Sequence, residues 1–312
     1  MQMPEIPKET PHGKVIVVGG VSIDLVAYSK RPPVTGETVI GDDFKLVLGG
    51  KGSNQAIAAA LAGSTSLLVS CIGDDLFSDF AKNTLKEFGV HTNFLRVAEG
   101  PTGIAHIRVG ESGDNNIVVI PLANSKIRSE QIDETFIGNS DVDVLLLQLE
   151  IPWSLNQHAI NLAKTSGATI ILDPAPAMEL DESAWSQVDI VTPNESEAKS
   201  LTGVAVIDDA SALAAGKWFL DRGVAFALIT VGANGAYCVS EKGLTHFPAP
   251  KVKALDTTAA GDAFAGYLGA LISQGAELDL AISHAVVAAT ISVTKIGASS
   301  SLPTRSEVDL WA

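Results

Sequence analysis

Three stretches of the sequence set glycine-rich turns beside carboxylates or amides in spacings that suit phosphoryl transfer. In DTTAAGDAF, Asp256 to Phe264, small residues follow an expected strand end and Gly261 opens an Ala/Gly-rich helix. The free N–H groups of such a helix start, with the positive end of its dipole, can hold a transferring phosphoryl group. A carboxylate in the first turn can take the proton of an attacking hydroxyl. Asp262 is therefore a candidate general base, although an acid there also serves simply to complement the helix dipole.

The second stretch, LGGKGSNQAIAAALAG from Leu48 to Gly63, is a Gly-rich turn entering a helix with Lys51 and Asn54 in its first turn. It is not a phosphate loop of the form GxxxxGK[ST]: Lys45 stands at the first glycine and Gly52 at the Ser/Thr. Nor does the chain contain GxGxxG, the dinucleotide fingerprint. A tight backbone approach with Lys51 and Asn54 as donors suits a polyhydroxylated ligand, and a purely structural glycine turn is the alternative.

In the third stretch, VTPNESEAKSLTG from Val191 to Gly203, Asn194 and Glu197 lie three apart just after an expected strand. One amide and one carboxylate suit outer-shell Mg2+; the same pair also describes a helix capping box. TVGANG, Thr230 to Gly235, reads as a strand followed by a Gly-rich turn.

The elements that must carry these stretches are short apolar runs separated by Ala-rich helices. VIVVGG at Val15, TSLLVSCIG at Thr65, DVLLLQLE at Asp143, TIILDP at Thr169, DIVTPN at Asp189 and FALITVG at Phe226 read as buried strands of a parallel sheet. Segments 22–50 and 101–121 break the alternation and look like antiparallel ribbons, the second turning at GESGDNN. The expected fold is α/β: a three-layer, doubly wound, mostly parallel sheet with a small antiparallel β lid. Residues 1–13 read as a flexible N-terminal arm and 14–312 as one domain.

With 312 residues, 46% of them hydrophobic, the chain can bury one large core. Its 36 acidic against 21 basic residues give a formal charge of -15, which disfavours nucleic acid and anionic membranes as partners. No apolar run reaches the length of a membrane span and no signal pattern precedes the first strand, so a cytoplasmic protein is expected. Cys71 and Cys238 sit in apolar runs and read as buried thiols; no Cys/His set has zinc spacing and no GxSxG elbow occurs.

Taken in order, these pieces resemble the ribokinase-like family, the phosphofructokinase-B group of carbohydrate kinases, from about Val15 to Pro303. Both signatures of that family have counterparts here: GGKGSNQAIAAALAG with IGDDLFSDF at Ile72, and DTTAAGDAFAGYLGAL at Asp256. PTGIAHIRV, LQLEIP, LDPAPA, VTPNESEA and ITVGANG are further similar to the ribokinases within it.

The resemblance implies transfer of the γ-phosphoryl group of ATP to the 5-hydroxyl of D-ribose. Asp262 would be the base, and Ala259, Ala260 and Gly261 the N–H groups of an anion hole. It implies a sugar site of Asp24, Gly50, Lys51, Asn54 and Glu150, with Ser22 at the strand end. Asn194 and Glu197 would serve Mg2+ and phosphate, and Thr230, Gly232 and Gly235 the nucleotide. Asp256, Thr258, Ser292, Lys295, Gly297 and Ser301 would surround K+, mostly through carbonyls, and a homodimer through the lid is implied too.

The chain departs from the family at Ala259, where glycine is usual and tolerance is expected unless φ is positive; at Ser22, where an amide is usual; and at Val286, where Asn or His commonly lies near the adenine. The alternatives are a kinase of 2-deoxyribose, another small sugar or a nucleoside, or a non-catalytic sugar-binding relative. The last is expected to lose the base or the anion hole, both of which have counterparts here.

Overall fold

The computed structural model describes residues 13–111 and 115–312. Residues 1–12 of the expected arm and 112–114 of the expected GESGDNN turn lie outside the described residues. Gly13, the last residue of that arm, already joins the core: its carbonyl accepts the Thr65 N–H at 3.0 Å.

The chain opens with β1 (Lys14–Val18), β2 (Ser22–Ser29), β3 (Asp43–Gly49), α1 (Lys51–Leu61), β4 (Thr65–Gly73), α2 (Ser78–Glu87) and β5 (Leu95–Ala98). It continues through β6 (Gly103–Gly110), β7 (Asn115–Ile120), α3 (Ser129–Ile137), β8 (Val144–Leu147), α4 (Trp153–Ser166), β9 (Thr169–Leu172), α5 (Glu182–Trp185) and β10 (Ile190–Val191). Next come α6 (Glu195–Thr202), α7 (Asp209–Leu220), β11 (Phe226–Thr230), β12 (Ala236–Ser240), β13 (Gly243–Phe247), α8 (Ala260–Ser273), α9 (Leu278–Ser292) and α10 (Arg305–Asp309).

The central sheet runs β13-β12-β11-β10-β9-β8-β1-β4-β5. Pairs from β11 to β5 are parallel, and β12 and β13 add an antiparallel hairpin. Strand alternation explains why its middle is apolar throughout. In β1, Val15 and Val17 enter the core cluster on one face, while Ile16 and Val18 enter the cluster on the other. Each such fully buried aliphatic side chain stabilises the fold by about 1.5–3 kcal/mol over exposure. All six strands read from the sequence lie in this sheet. The peripheral β5 and β13 carry exposed positions and hence no continuous apolar run.

One face is covered by α1, α8 and α9, the other by α3, α4 and the aromatic group Trp185, Trp218 and Phe219. Helices α1 and α8 approach closely because Gly266 faces Ala58, whose Cβ would be only 2.4 Å from a Cβ added at 266. That approach brings the start of α8 beside the start of α1.

The small sheet runs β3-β2-β6-β7. Its two ribbons are antiparallel as expected, but β2 and β6 pair in parallel, so the sheet is mixed and not wholly antiparallel. The cause is their origin: β2 leaves the end of β1 and β6 follows β5, two strands of the same parallel sheet, so both set out in one direction. The Asn124 side chain fastens the exit from β1, accepting from the Val21 N–H at 3.0 Å and donating to its carbonyl at 2.9 Å.

Candidate active site

Chain order reverses between β1 and β8: from β1 the sheet grows one way to β4 and β5, and from β8 the other way to β9, β10 and β11. Such a switch point leaves a crevice at the carboxyl ends of the strands. The start of β2 delivers Asp24 and the loop after β8 delivers Glu150, and the starts of α1 and α8 deliver Lys51, Asn54 and Asp262. Gly50 makes the turn into α1 at φ 94, and a Cβ there would lie 2.7 Å from the Gly20 carbonyl oxygen, so the turn requires glycine.

The structure brings these sequence-derived residues together. Asp262 is buried; its Oδ2 accepts from Asn54 Nδ2 at 2.9 Å, and Lys51 Nζ lies 3.7 Å from its Oδ1. The Lys51 N–H donates to Glu150 Oε2 at 2.8 Å, and Ser22 Oγ donates to Asp24 Oδ1 at 3.0 Å. Asp262 is the acid of the first turn of α8, as expected, and it shares Lys51 with Asp173, just after β9, whose Oδ2 binds Lys51 Nζ at 3.1 Å.

Crowding and burial set the charges. Burial pushes Asp24 up to about 6 against the Ser22 hydroxyl, which lowers it, and Asp262 adds to the rise. Burial also pushes Glu150 up to about 7, opposed by Lys51. Asp173 rises to about 7 for the same reason, with Lys51 again opposing. Burial works against the Lys51 ammonium, yet Asp173, Asp262, Glu150 and Glu197 outweigh it and hold Lys51 protonated, above its usual value.

At the opening of α8, Ala259 adopts φ 61, ψ 11. Tolerance of alanine was conditional on a negative φ, so Ala259 carries left-handed strain of about 1–2 kcal/mol. The N–H groups of Gly261 and Asp262 belong to a first helical turn, which offers them no intrahelical carbonyl. The Ala260 N–H instead turns back onto the Thr257 carbonyl at 3.3 Å.

The second group sits at the ends of β10 and β11. Asn194 and Glu197 form a complete capping box, Asn194 Oδ1 accepting from the Glu197 N–H at 2.9 Å and Glu197 Oε2 from the Asn194 N–H at 2.8 Å. Asn194 bridges to Thr230, and the turn holding Gly232 and Gly235 closes through the Val231 N–H on the Gly235 carbonyl at 2.8 Å.

The third group joins two loops through Asp256. Its Oδ1 accepts from Thr258 N and Oγ1 at 3.0 and 2.6 Å, and its Oδ2 from the Gly297 N–H at 2.9 Å. The Ser292 and Ser301 hydroxyls turn onto the Ala289 and Ala298 carbonyls, and Lys295 Nζ pairs with Glu307 at 2.7 Å. Val286, expected near the base, is buried in the core cluster of α8 and α9.

The pfkB family carbohydrate kinase profile matches residues 12–305. The chain belongs to the pfkB family of carbohydrate kinases. It is 40% identical to the ribokinase of Haemophilus influenzae over 93% of this chain and 95% of the relative. It is also 36% identical to the deoxyribokinase of Salmonella typhi over 93% and 95%. Among solved structures, Thermotoga maritima ribokinase superposes with TM-score 0.86 at 35% identity, covering 96% of this chain and 99% of that one. Arabidopsis thaliana ribokinase complexed with ribose and ATP superposes with TM-score 0.87 at 27% identity, covering 96% and 98%. Membership makes this chain a phosphotransferase with an alcohol group as acceptor.

Sequence reading missed three polar residues of this kinase's pocket: Gln55, Gln148 and Asp173, all buried. Gln55 stands in GGKGSNQ and Asp173 in LDPAPA, so the signal was a polar side chain inside an otherwise buried helix start or strand end.

The raised carboxyls tie stability to pH. Asp24, Glu150 and Asp173 titrate at about 6, 7 and 7 when folded but near 3.8–4.5 otherwise, so the folded protein holds more protons between those values. Stability of the ligand-free kinase therefore falls as pH rises from about 4 to about 7. Thermal unfolding is expected at a higher midpoint at about pH 5 than at about pH 8. The difference should shrink in Asp173→Asn; an unchanged difference refutes the assignment.

Proposed function

We propose that this kinase transfers the γ-phosphoryl group of ATP to the 5-hydroxyl of D-ribose, with Asp262 accepting the hydroxyl proton. The observation that carries the reading is at Asn54. Its Nδ2 donates to Asp262, while its buried Oδ1 has no hydrogen-bond partner among the described residues. A buried amide oxygen left bare costs about 1–3 kcal/mol, which a sugar hydroxyl placed beside the base would recover. Asp24 offers the same pocket an acceptor for neighbouring hydroxyls, and the Gly50 turn and Lys51 close its floor. Relatives named ribokinase, one of them complexed with ribose and ATP, support this acceptor and donor.

In the proposed geometry the phosphoryl group lies against the N–H groups of the α8 opening, Gly261 and Asp262 foremost since the Ala260 N–H is turned onto Thr257, and the nucleotide along Thr230 to Gly235. Base recognition would rest on that turn's backbone, since Val286 is enclosed in the core. Glu197 and Asn194 fit a Mg2+ held mainly by phosphate and water. The capping box leaves one carboxylate oxygen of Glu197 unspent, and among the described residues no group of three His, Cys, Asp or Glu is built to hold a metal. Such an ion would supply positive charge that offsets that of the phosphates.

The Asp256 loop fits K+ through carbonyls, because the side chains of Ser292, Lys295 and Ser301 are turned to other partners. ADP release measured with ribose, 2-deoxyribose, fructose, adenosine and ribose 5-phosphate tests the acceptor. Ribose is expected to turn over fastest, and faster in K+ than in Na+ at equal ionic strength. A nucleoside preference would overturn the first reading, and equal rates in both ions the second.

A 2-deoxyribose preference is the second reading, favoured by Ser22. Its hydroxyl, shorter than the amide usual there, donates to Asp24, so it offers the sugar less than an amide would. Ser22→Asn is expected to raise kcat/KM for ribose relative to 2-deoxyribose by up to about tenfold, the equivalent of about 1.4 kcal/mol. An unmoved ratio removes Ser22 from acceptor choice.

The exposed apolar run Ile117 to Ile120 on edge strand β7 supports a homodimer through the small sheet acting as a lid; sedimentation of monomer only would reject it. No helix among the described residues is long and apolar enough to cross a membrane, and both cysteines are buried and free, which suits a cytoplasmic enzyme.

A further inference from the structure

Gln55 is fully buried on α1 among alanines and Ile57, where an apolar side chain would fill the space without the cost of desolvating an amide. Its contacts account for the amide. One Nε2 hydrogen points to Asp173 Oδ2 at 2.9 Å and the other to Asp262 Oδ1 at 3.2 Å. Its Oε1 accepts from Nε2 of Gln148, itself fully buried at the end of β8, at 2.5 Å. Turning the Gln55 amide over would set its oxygen against two carboxylates and its NH2 against the Gln148 donor, so only one orientation is satisfied.

Lys51 Nζ spans the same two carboxylate oxygens, at 3.1 Å from Asp173 Oδ2 and 3.7 Å from Asp262 Oδ1. The two oxygens of Asp262 are thereby made unequal. Each oxygen accepts one amide hydrogen bond, Oδ1 from Gln55 at 3.2 Å and Oδ2 from Asn54 at 2.9 Å, but among the described residues the Lys51 ammonium lies nearest Oδ1, at 3.7 Å, where it holds negative charge on that oxygen without a hydrogen bond. A carboxylate oxygen accepts about two hydrogen bonds, so both keep a lone pair, and Oδ2, away from the ammonium and on the side of Asn54 whose Oδ1 is bare among the described residues, is the more basic of the two.

We infer that Gln55, aligned by Gln148 and Asp173, is the positioning residue that pins Asp262 and leaves Oδ2 as the atom that takes the hydroxyl proton. Gln55 touches neither substrate; it acts through Asp262. The inference rests on Asp262 being the base, and the experiment separates the two. In the proton step the sugar O–H bond breaks, the new O–H bond forms on Asp262 Oδ2, and the sugar oxygen's electron pair goes to the γ-phosphorus as ADP leaves.

The test is a double-mutant cycle read by ADP release, with ATP and the best sugar of the acceptor panel, on Gln55→Leu, Asp262→Ala and the pair. Gln55→Leu is expected to lower kcat about 10- to 100-fold with both KM values within about threefold. On the Asp262→Ala background it should change the residual rate by less than about twofold. A loss of the same factor on both backgrounds, or none in the single variant, overturns the inference. High turnover in Asp262→Ala alone would instead overturn the base assignment.

Asp173 supplies an arm that does not depend on Gln55→Leu folding. Asp173→Asn keeps an oxygen for Lys51 and Gln55 and should hold kcat within about threefold, whereas Asp173→Ala should lose about tenfold or more at unchanged KM. Equal rates in the two variants overturn the alignment by Asp173.

Discussion

Asp262→Ala is expected to lower kcat by about 10²–10⁴-fold while sugar and ATP binding stay near normal. The proposed base is buried, and the loss is confined to the step in which the hydroxyl proton must leave. Binding persists because the sugar contacts assigned to Asp24, Gly50 and Asn54 arise from β2 and α1, and the nucleotide contacts from the β11 turn. The fold should tolerate the change: Lys51 retains Asp173 at 3.1 Å, and a crowded set of buried acids loses one member. Steady-state ADP release gives kcat, and calorimetric titration of sugar gives the dissociation constant. Turnover within a few-fold of the parent would remove Asp262 from the role.

Asp24→Ala is expected to raise the sugar KM by about 10- to 100-fold, because a hydrogen bond to a charged acceptor is worth about 1.5–3 kcal/mol. The ATP KM should stay within about twofold, since Asp24 lies on β2 and the proposed nucleotide turn follows β11. A second signature follows from titration. In the empty pocket burial holds Asp24 at about 6, so the carboxylate is formed above that pH and lost below it. The parent's sugar KM should therefore climb as pH falls through about 6, and that part of the climb should be lost in Asp24→Ala, leaving only what Glu150 contributes near 7. Equal damage to both Michaelis constants, or a pH profile unchanged by the substitution, contradicts the sugar role.

The main lines of the fold were legible because buried parallel strands announce themselves. VIVV, LLVSCIG and VLLLQ are apolar on both faces, and β1 sends alternate residues into cores on opposite sides of the sheet. Edge strands such as β5 and β13 escaped, since they are covered less and mix polar with apolar positions. The parallel pairing of β2 with β6 was illegible too: it joins residues about 80 apart, and local pattern holds no record of which ribbon lies beside which.

At the site, residue type and glycine spacing were enough to single out Asp262, Lys51 and Asn54, because a helix start and a turn are local structures. What they touch was not local. Asn54 meets Asp262 across 208 positions, Gln55 meets Asp173 across 118, and Gln148 meets Gln55 across 93. The positive φ of Ala259 likewise became visible only in three dimensions. Sequence alone determined the six inner strands of the sheet, the glycine turns and the chemistry available at each helix start, since those follow from neighbouring residues. Tertiary structure decided the company each group keeps, and burial together with that company decides which carboxyls give up their protons.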